Sequence, residues 1–254
     1  MEKPGHISAP IKAENGPFDD FFKSAFTVDN IIFGFDESDL KVLLIKRGEV
    51  PFENQWALPG NFVYQDEDLD TAAKRVLAEL TGLKDVYLQQ VKTFGSVGRH
   101  PFGRVITIAY YSLIKIEDYR LNASFIAQKA AWKSVGEVKG LPFDHDEIFQ
   151  ACLNHLKINV KRQPLGFELL PPEFTLTQLQ NLYEAILNEK LDKRNFRKKI
   201  LSMNLLLDTG NWQEGVAHRP AKLFKFDLQR YKRLFEEEGF HFDVSPSKPR
   251  KSNR

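Results

Sequence analysis

The sequence predicts an α/β protein with two unequal domains, and three observations support this. Apolar runs rich in β-branched residues, with one amphipathic helix among them, occupy most of the first 156 residues. The rest of the chain contains two helical patterns followed by two strand-like runs. The charge also changes sign, because 17 Lys and Arg face 22 Asp and Glu in residues 1–156, whereas 19 face 12 in residues 157–254. Such asymmetry indicates two modules, the basic one with an anionic partner.

The first domain is expected to span residues 27–160, after a loose Pro- and Gly-containing arm at residues 1–26. The runs VDNIIFGF and LKVLLIKR, separated by DESD, predict a β-hairpin. WALPGNFV predicts two short strands interrupted by Pro-Gly. More strands are expected in VYLQQVKTFGSV, RVITIAYYSLIKI and KAAWKSV, and DHDEIFQACLNHLKINV predicts a helix that leads out of this domain.

One helix is predicted between these strands, in the stretch EDLDTAAKRVLAEL. Its apolar residues recur at intervals of three and four, as a helix with one buried face requires. They are Leu69, Ala73, Val76, Leu77 and Leu80. Gly82 follows and is a plausible end of the helix.

The second domain is expected to span residues 161–243, before a basic, disordered tail at residues 244–254. Its first helix lies in FTLTQLQNLYEAIL, with Thr175 or Thr177 as the N-cap. Its second helix lies in LDKRNFRKKILSM, where Asp192 can cap. The runs NLLLDT and AKLFKFD then predict two strands joined by the loop GNWQEGVAHRP. This order of helix, turn, basic helix and hairpin is that of a winged helix-turn-helix.

The second of these helices has the composition of a DNA recognition helix. An apolar face with Phe196 anchors it, while cations and an amide face outward, where they can reach phosphates and base edges. The predicted DNA-binding residues are Lys193, Arg194, Asn195, Arg197 and Lys198 of the helix, with His218, Arg219 and Lys222 of the wing. The alternative is a solvated basic helix with no partner.

Composition excludes several other classes of protein. A single cysteine, Cys152, excludes an internal disulfide and fits a reducing compartment. No stretch approaches the roughly 20 apolar residues of a membrane span, and the N-terminus lacks a signal-peptide pattern. The sequence therefore predicts a cytoplasmic protein with no membrane partner.

The stretch LPGNFVYQDEDLDTAAKRVLAELTGL resembles the Nudix box of diphosphate hydrolases. Asn61 stands at the position of the first Gly of that motif, Glu67 at its first Glu and Arg75 at its Arg. Glu79 takes the first Glu of the final pair, and Gly82 with the following Leu closes the motif. The resemblance implies a Nudix fold, a mixed sheet sandwiched between helices.

Two departures from the motif bear on catalysis. In the family, two glutamates four residues apart present oxygen ligands to magnesium from one helix face. Here those positions hold Val76 and Leu80, which have no oxygen. Glu79 points about 100° away from Leu80 around a helix, so it cannot replace the missing ligand. We therefore expect no metal, no cofactor and no catalytic residues, and hydrolysis that is crippled or absent.

The tandem arrangement resembles the Nudix-related transcriptional regulators from about Val28 to Phe226. This resemblance implies a homodimer that binds double-stranded operator DNA and senses a small molecule in the former catalytic cleft. One branch of the family governs NAD metabolism and senses ADP-ribose-type nucleotides. Another governs arabinose use and senses the sugar, and AAKRVLAELTGL looks closer to that branch.

The predicted effector site collects polar and aromatic residues near the box: Arg47, Trp56, Phe62, Glu67, Glu79, Arg99 and Arg104. Arg99 and Arg104 either bind an anion or brace a turn. Replacing two carboxylates by Val76 and Leu80 predicts an apolar cleft wall, which favours a neutral sugar over ADP-ribose. The alternative class is a Nudix hydrolase that draws unusual ligands from DEDLD and uses the second domain for docking.

Overall fold

The computed structural model describes residues 24–36, 39–118, 121, 127–217 and 219–238. The predicted tail lies outside these residues, and so does the predicted arm apart from its last three positions. Of those three, Ala25 and Phe26 already belong to the first strand. Among the described residues, every helix falls short of the length and apolar character that a membrane-spanning helix requires.

The first domain is built on a mixed seven-stranded sheet. Its strands are β1 (Ala25–Phe35), β2 (Leu40–Arg47), β3 (Trp56–Ala57), β4 (Gly60–Phe62), β5 (Gln89–Phe94), β6 (Val105–Lys115) and β7 (Ala127–Ser134). The order is β3-β2-β1-β6-β5, with β4 paired to β1 and β7 paired to β2. Only the β1–β6 pair is parallel among these pairings. The predicted strands and the β1–β2 hairpin are confirmed, and so is the mixed sheet that the resemblance implied.

Helix α1 (Leu69–Thr81) covers one face of the sheet. The Asp68 carboxylate caps its start by accepting from the Thr71 N–H at 2.7 Å, and Gly82 ends it in a left-handed conformation with φ of 77°. Its apolar face, which includes Val76 and Leu80, packs against Val28 and other residues of the sheet. The predicted helix and its end at Gly82 are therefore confirmed.

Helix α2 (His145–Arg162) covers the opposite face. Alternate residues of β1 point to opposite sides of the sheet, so that Val28 faces α1 whereas Phe33 faces α2. The ring of Phe33 contacts that of Phe149 on α2, with centroids 6.2 Å apart. Three short 3-10 helices, Ile116–Asp118, Val135–Glu137 and Phe167–Leu169, occur in the connections. The helix predicted to leave this domain is thus one layer of its sandwich.

The second domain consists of α3 (Leu176–Leu187), α4 (Lys193–Ser202), β8 (Leu206–Trp212), β9 (Lys222–Phe226) and α5 (Leu228–Glu238). Thr175 is the N-cap of α3, in a capping box with Gln178, and Asp192 caps α4. Phe174 pairs with Phe224 and adds a short third element to the β8–β9 sheet. The predicted winged helix-turn-helix order is confirmed.

The turn between α3 and α4 is fixed by Glu184. Its carboxylate accepts from the Leu191 N–H at 3.1 Å, from Gln180 at 2.9 Å and from Lys190 at 2.7 Å. Asn188, with φ of 54°, ends α3 in the left-handed conformation that asparagine tolerates. These contacts set the angle between α3 and α4, which a helix-turn-helix uses to present its second helix.

The two domains share one hydrophobic core. Buried side chains of β1 and β2, of α2 and of α3 and α4 form a single continuous cluster. Leu156 and Val160 of α2 belong to it, as do Leu179 and Ile186 of α3 and Ile200 of α4. We refer to this cluster as the shared core. It links the sheet of the first domain directly to the helices of the second.

Candidate effector cavity and DNA-binding surface

A cavity of about 340 Å³ opens beside the start of β1, between the β2–β3 connection and the β5–β6 loop. Its volume lies at the lower end of the range for ligand sites, about 300–1,000 Å³. Four of the predicted effector residues line it, namely Arg47, Phe62, Arg99 and Arg104. The structure therefore brings together residues that are more than 50 positions apart in the sequence.

The other three predicted effector residues lie outside the cavity lining. The ring of Trp56 packs under the ammonium group of Lys133, 4.9 Å from its centroid. Glu67 and Glu79 both accept hydrogen bonds from Arg75, which also donates to the Phe62 carbonyl. Arg75 thereby ties α1 to the loop that precedes it.

Asp29 forms the polar floor of the cavity and is only 4% exposed. One carboxylate oxygen accepts from the Thr107 hydroxyl at 2.7 Å, and the other lies 3.5 Å from His145 Nε2. The guanidinium of Arg99 lies 3.7 Å away. A Cβ at Gly60 would come within 1.9 Å of the Asp29 Oδ1, so only glycine fits there. Asp29 is therefore held in one orientation.

His145 connects this floor to α2. Its Nδ1 accepts the Leu58 N–H at 3.1 Å, so a neutral ring carries its proton on Nε2, which faces Asp29. Burial lowers the pKa of His145 below its ordinary value, an effect that the Asp29 carboxylate opposes. The neutral imidazole is thus a hydrogen-bonding spacer between the sheet and the helix.

Aromatic rings form one wall of the cavity. The ring of Phe143 stacks on that of His100, with centroids 5.2 Å apart and an angle of 9°. Phe62 and Phe102 meet His100 edge-on, and the guanidinium of Arg47 lies over Phe143 at 5.1 Å. Phe143 has φ of 59°, which is rare for a bulky residue, and such strain collects at functional sites. The wall offers planar faces to a ring-containing ligand.

Arg99 and Arg104 combine the two roles that the sequence left open. Arg104 donates to the Gly95 carbonyl, and Arg99 makes two hydrogen bonds to Asp144, at 2.7 and 2.8 Å. Both therefore brace the loop between β5 and β6. Both also line the cavity, where their charge can face an anion.

The magnesium site of the Nudix box does not fit the residues present. Val76 is fully buried in the core against the sheet and does not line the cavity, whereas Leu80 does. The predicted apolar wall was therefore right for Leu80 and wrong for Val76. Glu79 is bound to Arg75 on another side of the helix. Neither 76 nor 80 supplies the oxygen ligand that magnesium requires.

The acids of DEDLD do not replace those ligands. Glu67 accepts from Arg75 and from the Tyr64 N–H, Asp68 caps α1, and Asp70 accepts from the Tyr110 hydroxyl at 2.7 Å. In the described ranges, no three His, Cys, Asp or Glu side chains are grouped to hold a metal ion. The donors that a metal-dependent hydrolase would need are thus committed elsewhere in the fold.

The predicted recognition helix α4 presents its cations outward. Lys193, Arg194, Asn195 and Lys198 are exposed, and Phe196 is buried against the ring of Tyr183, 5.6 Å away. The Asp192 cap accepts from the Asn195 N–H and leaves that side-chain amide exposed. This arrangement matches the anchored, cationic surface expected of a helix that enters the major groove.

The remaining predicted DNA-binding residues differ in their surroundings. Arg197 donates to the Thr177 hydroxyl of α3 at 3.0 Å and is half-buried. Lys222 pairs with Asp208 on the neighbouring strand at 2.7 Å, whereas Arg219 lies exposed in the loop of the wing. His218 lies outside the described residues. The assignment of these residues to DNA remains a prediction.

Comparison with known proteins identifies the class of the molecule. The NUDIX domain family matches residues 24–152, and the NrtR DNA-binding winged helix domain family matches residues 166–226. The first match covers the sheet with the cavity, and the second covers α3, α4 and the wing. The chain is therefore a Nudix domain joined to a DNA-binding winged helix domain.

Individual relatives agree with this. The chain is 36% identical over 217 residues to the ADPR responsive transcriptional repressor NtrR of Acinetobacter baylyi, covering 84% of this chain and 86% of that protein. The structure of Shewanella oneidensis NrtR complexed with a 27mer DNA superposes with a TM-score of 0.66 at 29% identity, covering 79% of this chain and 93% of that one. The Nudix domain of the same protein complexed with ADP ribose gives a TM-score of 0.50 at 30% identity, covering 54% and 92%. The chain belongs to the NrtR family of Nudix-related transcriptional repressors, which confirms the resemblance seen in the sequence.

Several residues of the cavity were not predicted from the sequence: Asp29, His100, Phe143, Asp144 and His145. Asp29 carried a signal, since a carboxylate within the apolar run VDNIIFGF is unusual for a buried strand. His145 was considered as part of an acidic group at a helix start, and it does lie at the first position of α2. Its contact with Asp29 depends on how α2 packs, which no local pattern reveals.

Proposed function

We propose that this chain is a homodimeric transcriptional repressor that binds operator DNA through α4 and releases it when an ADP-ribose-type nucleotide occupies the cavity. The arginine-rich, aromatic-walled cavity without magnesium ligands carries this proposal. As a DNA-binding repressor, the protein would act in the cytoplasm.

The charges of the cavity favour a nucleotide diphosphate. Arg47, Arg99 and Arg104 line it together with only two carboxylates, Asp29 and Glu49. Guanidinium groups bind phosphate oxygens through paired, charge-assisted hydrogen bonds and need no metal to do so. A neutral sugar would leave this charge without a counterpart.

The aromatic wall suits the base of such a nucleotide. The rings of Phe62, His100, Phe102 and Phe143 lie beside the arginines, and a purine can stack on or meet their edges. The relatives point the same way, since the Acinetobacter baylyi protein is called ADPR responsive and the Shewanella oneidensis domain was crystallised with ADP ribose. The sequence-based preference for L-arabinose gains no support from these relatives.

Operator binding follows from the exposed side of α4. Arg194 and Lys198 can reach phosphates, and Asn195 offers an amide for a base edge. A dimer of winged helices reads two half-sites about one helical turn apart, so the operator should be palindromic. The cations of the wing would contact the flanking backbone.

A calorimetric titration without metal tests the effector. ADP-ribose should release heat with one site per chain and should weaken binding to the operator duplex, while L-arabinose should do neither. Heat from L-arabinose alone would overturn the nucleotide assignment. Turnover of ADP-ribose above about 1 per second with magnesium, in the ordinary enzyme range, would instead favour the hydrolase alternative.

A further inference from the structure

We propose that Asp144 and the effector compete for Arg99, and that this exchange transmits effector binding to α2. The inference rests on the proposed function, because it requires an effector with a phosphate-like anion. It assigns Arg99 as an effector-binding residue and Asp144 as the residue that positions it and couples it to the helix.

The Arg99–Asp144 pair is a nearly buried ion pair at the edge of the cavity. The Arg99 side chain is 5% exposed and that of Asp144 is 16% exposed, and two parallel hydrogen bonds join them. Arg99 lines the cavity, so an anion bound there approaches the guanidinium from the side opposite the helix. The guanidinium cannot retain both bonds to Asp144 and also form a paired contact with a phosphate.

Asp144 occupies the N-cap position of α2 but does not cap it. Its side chain accepts no hydrogen bond from the first turn of that helix, because both of its oxygens are bound by Arg99. An aspartate at this position ordinarily accepts from a backbone N–H two or three residues later. When an anion takes Arg99, the released carboxylate therefore has a second set of donors within reach, at the start of the same helix.

Helix α2 carries this change to the second domain. Its first residue, His145, contacts the cavity floor through Asp29. Toward its other end, Leu156 and Val160 lie in the shared core with α3, which packs against α4. A shift at the first turn of α2 thus moves a helix that touches both the effector site and the support of the recognition helix.

Asp144→Asn tests the exchange by removing the competing charge at almost constant shape. Arg99 then becomes available to the effector, so ADP-ribose should bind about ten times more tightly. Operator binding without effector should weaken, because the variant already resembles the effector-bound form. By reciprocity, the factor by which ADP-ribose weakens DNA binding should fall by about the same ten-fold.

The matched control is Glu147→Gln. Glu147 lies in the same first turn of α2, is exposed and loses the same charge, so it reproduces any general effect on the helix dipole. It should leave both the ADP-ribose affinity and the response of DNA binding at wild-type values. Equal behaviour of Asp144→Asn and Glu147→Gln would overturn the exchange.

Two further measurements separate the possible failures. Thermal unfolding of each variant shows whether it is folded, and Asp144→Ser, which keeps a capping side chain but removes the charge, should behave like Asp144→Asn. Titration with inorganic pyrophosphate probes the anion contact alone and should also tighten in both variants. If wild-type protein binds neither ADP-ribose nor pyrophosphate, the proposed function fails and the exchange with it. If wild-type protein responds but neither Asp144 variant differs, only the exchange fails.

Discussion

Helices α1 and α4 both carry a sequence pattern associated with a function, but the fold treats their side chains in opposite ways. In α1 the positions that bind metal in a Nudix hydrolase hold Val76 and Leu80, which are buried, and Arg75 is bound by Glu67 and Glu79. In α4 the buried positions hold only the anchors, such as Phe196, and cations such as Arg194 are exposed.

This difference shows how a motif can be retained without its chemistry. The salt bridges and apolar contacts of α1 hold the loop and the sheet together, so the helix contributes to stability even without metal ligands. The exposed cations of α4 contribute little to the packing of the fold, which leaves them available for a partner. Whether the functional side chains remain accessible is therefore more informative than whether the motif matches.

The largest expected effect is the loss of stability when a metal ligand is restored to α1. Val76→Glu places a carboxylate at a fully buried position among apolar side chains, which should lower the free energy of unfolding by about 3–5 kcal/mol. Urea denaturation measures this, with Lys74→Glu at an exposed position of the same helix as the control. A stable Val76→Glu, Leu80→Glu variant that gained magnesium-dependent hydrolysis would show that α1 is still a catalytic scaffold.

Reversing two charges of α4 should have the next largest effect, on DNA binding only. Arg194→Glu with Lys198→Glu should weaken operator affinity by about 100-fold or more, since each lost contact of this kind is worth roughly 1–3 kcal/mol. Fluorescence anisotropy measures the affinity, and thermal unfolding should show the melting temperature unchanged. Lys232→Glu on α5 makes a similar change outside the recognition helix. If the two α4 substitutions weakened binding no more than the control, α4 would not be the recognition helix.

A smaller effect is expected in the acid stability conferred by α1. Hydrogen bonds from Arg75 lower the pKa of Glu67 from 4.5 to about 2, so its ionised form stabilises the folded state above pH 4.5. This contribution is lost as the pH falls from 4.5 toward 2. In Arg75→Gln the wild-type advantage in urea midpoint should therefore be present at pH 6 and shrink through this window. Glu79→Gln, which removes only the exposed partner, should keep most of the wild-type pH dependence, and an identical loss in both variants would contradict the role of Glu67.

The smallest effect is expected at Lys222 in the wing. Its ammonium group is paired with Asp208, so it offers less net charge to DNA than the exposed cations of α4. Lys222→Ala should therefore weaken operator binding by about three-fold or less and change the salt slope by less than the roughly 0.9 of a full phosphate contact. A salt titration of binding, beside Arg219→Ala, measures this. A full unit of slope would show that Lys222 exchanges Asp208 for a phosphate.

Local patterns predicted most of the fold. The caps at Thr175 and Asp192, the end of α1 at Gly82 and the β1–β2 hairpin all depend on residues close together in the sequence. The parallel pairing of β1 with β6, by contrast, joins Ala25 to residue 105, and no local signal specifies it.

The candidate site was harder to predict for the same reason. Arg99 and Arg104 stood out as isolated cations in a Gly-containing loop, but their surroundings come from distant elements. Asp29 comes from β1, and Phe143 and Asp144 come from the approach to α2. The misplacement of Val76 at the cavity wall has a simple cause. Helical spacing gives which residues share a face, but not which side of that face meets the sheet.

The shared core has a consequence for how the protein unfolds. Because α2, α3 and the sheet bury their apolar residues in one cluster, neither domain can lose its structure without exposing the other. Heating should therefore give one calorimetric transition, with equal van't Hoff and calorimetric enthalpies, instead of one for each domain. A nucleotide bound in the cavity would then raise the melting temperature of the recognition helix as much as that of the sheet.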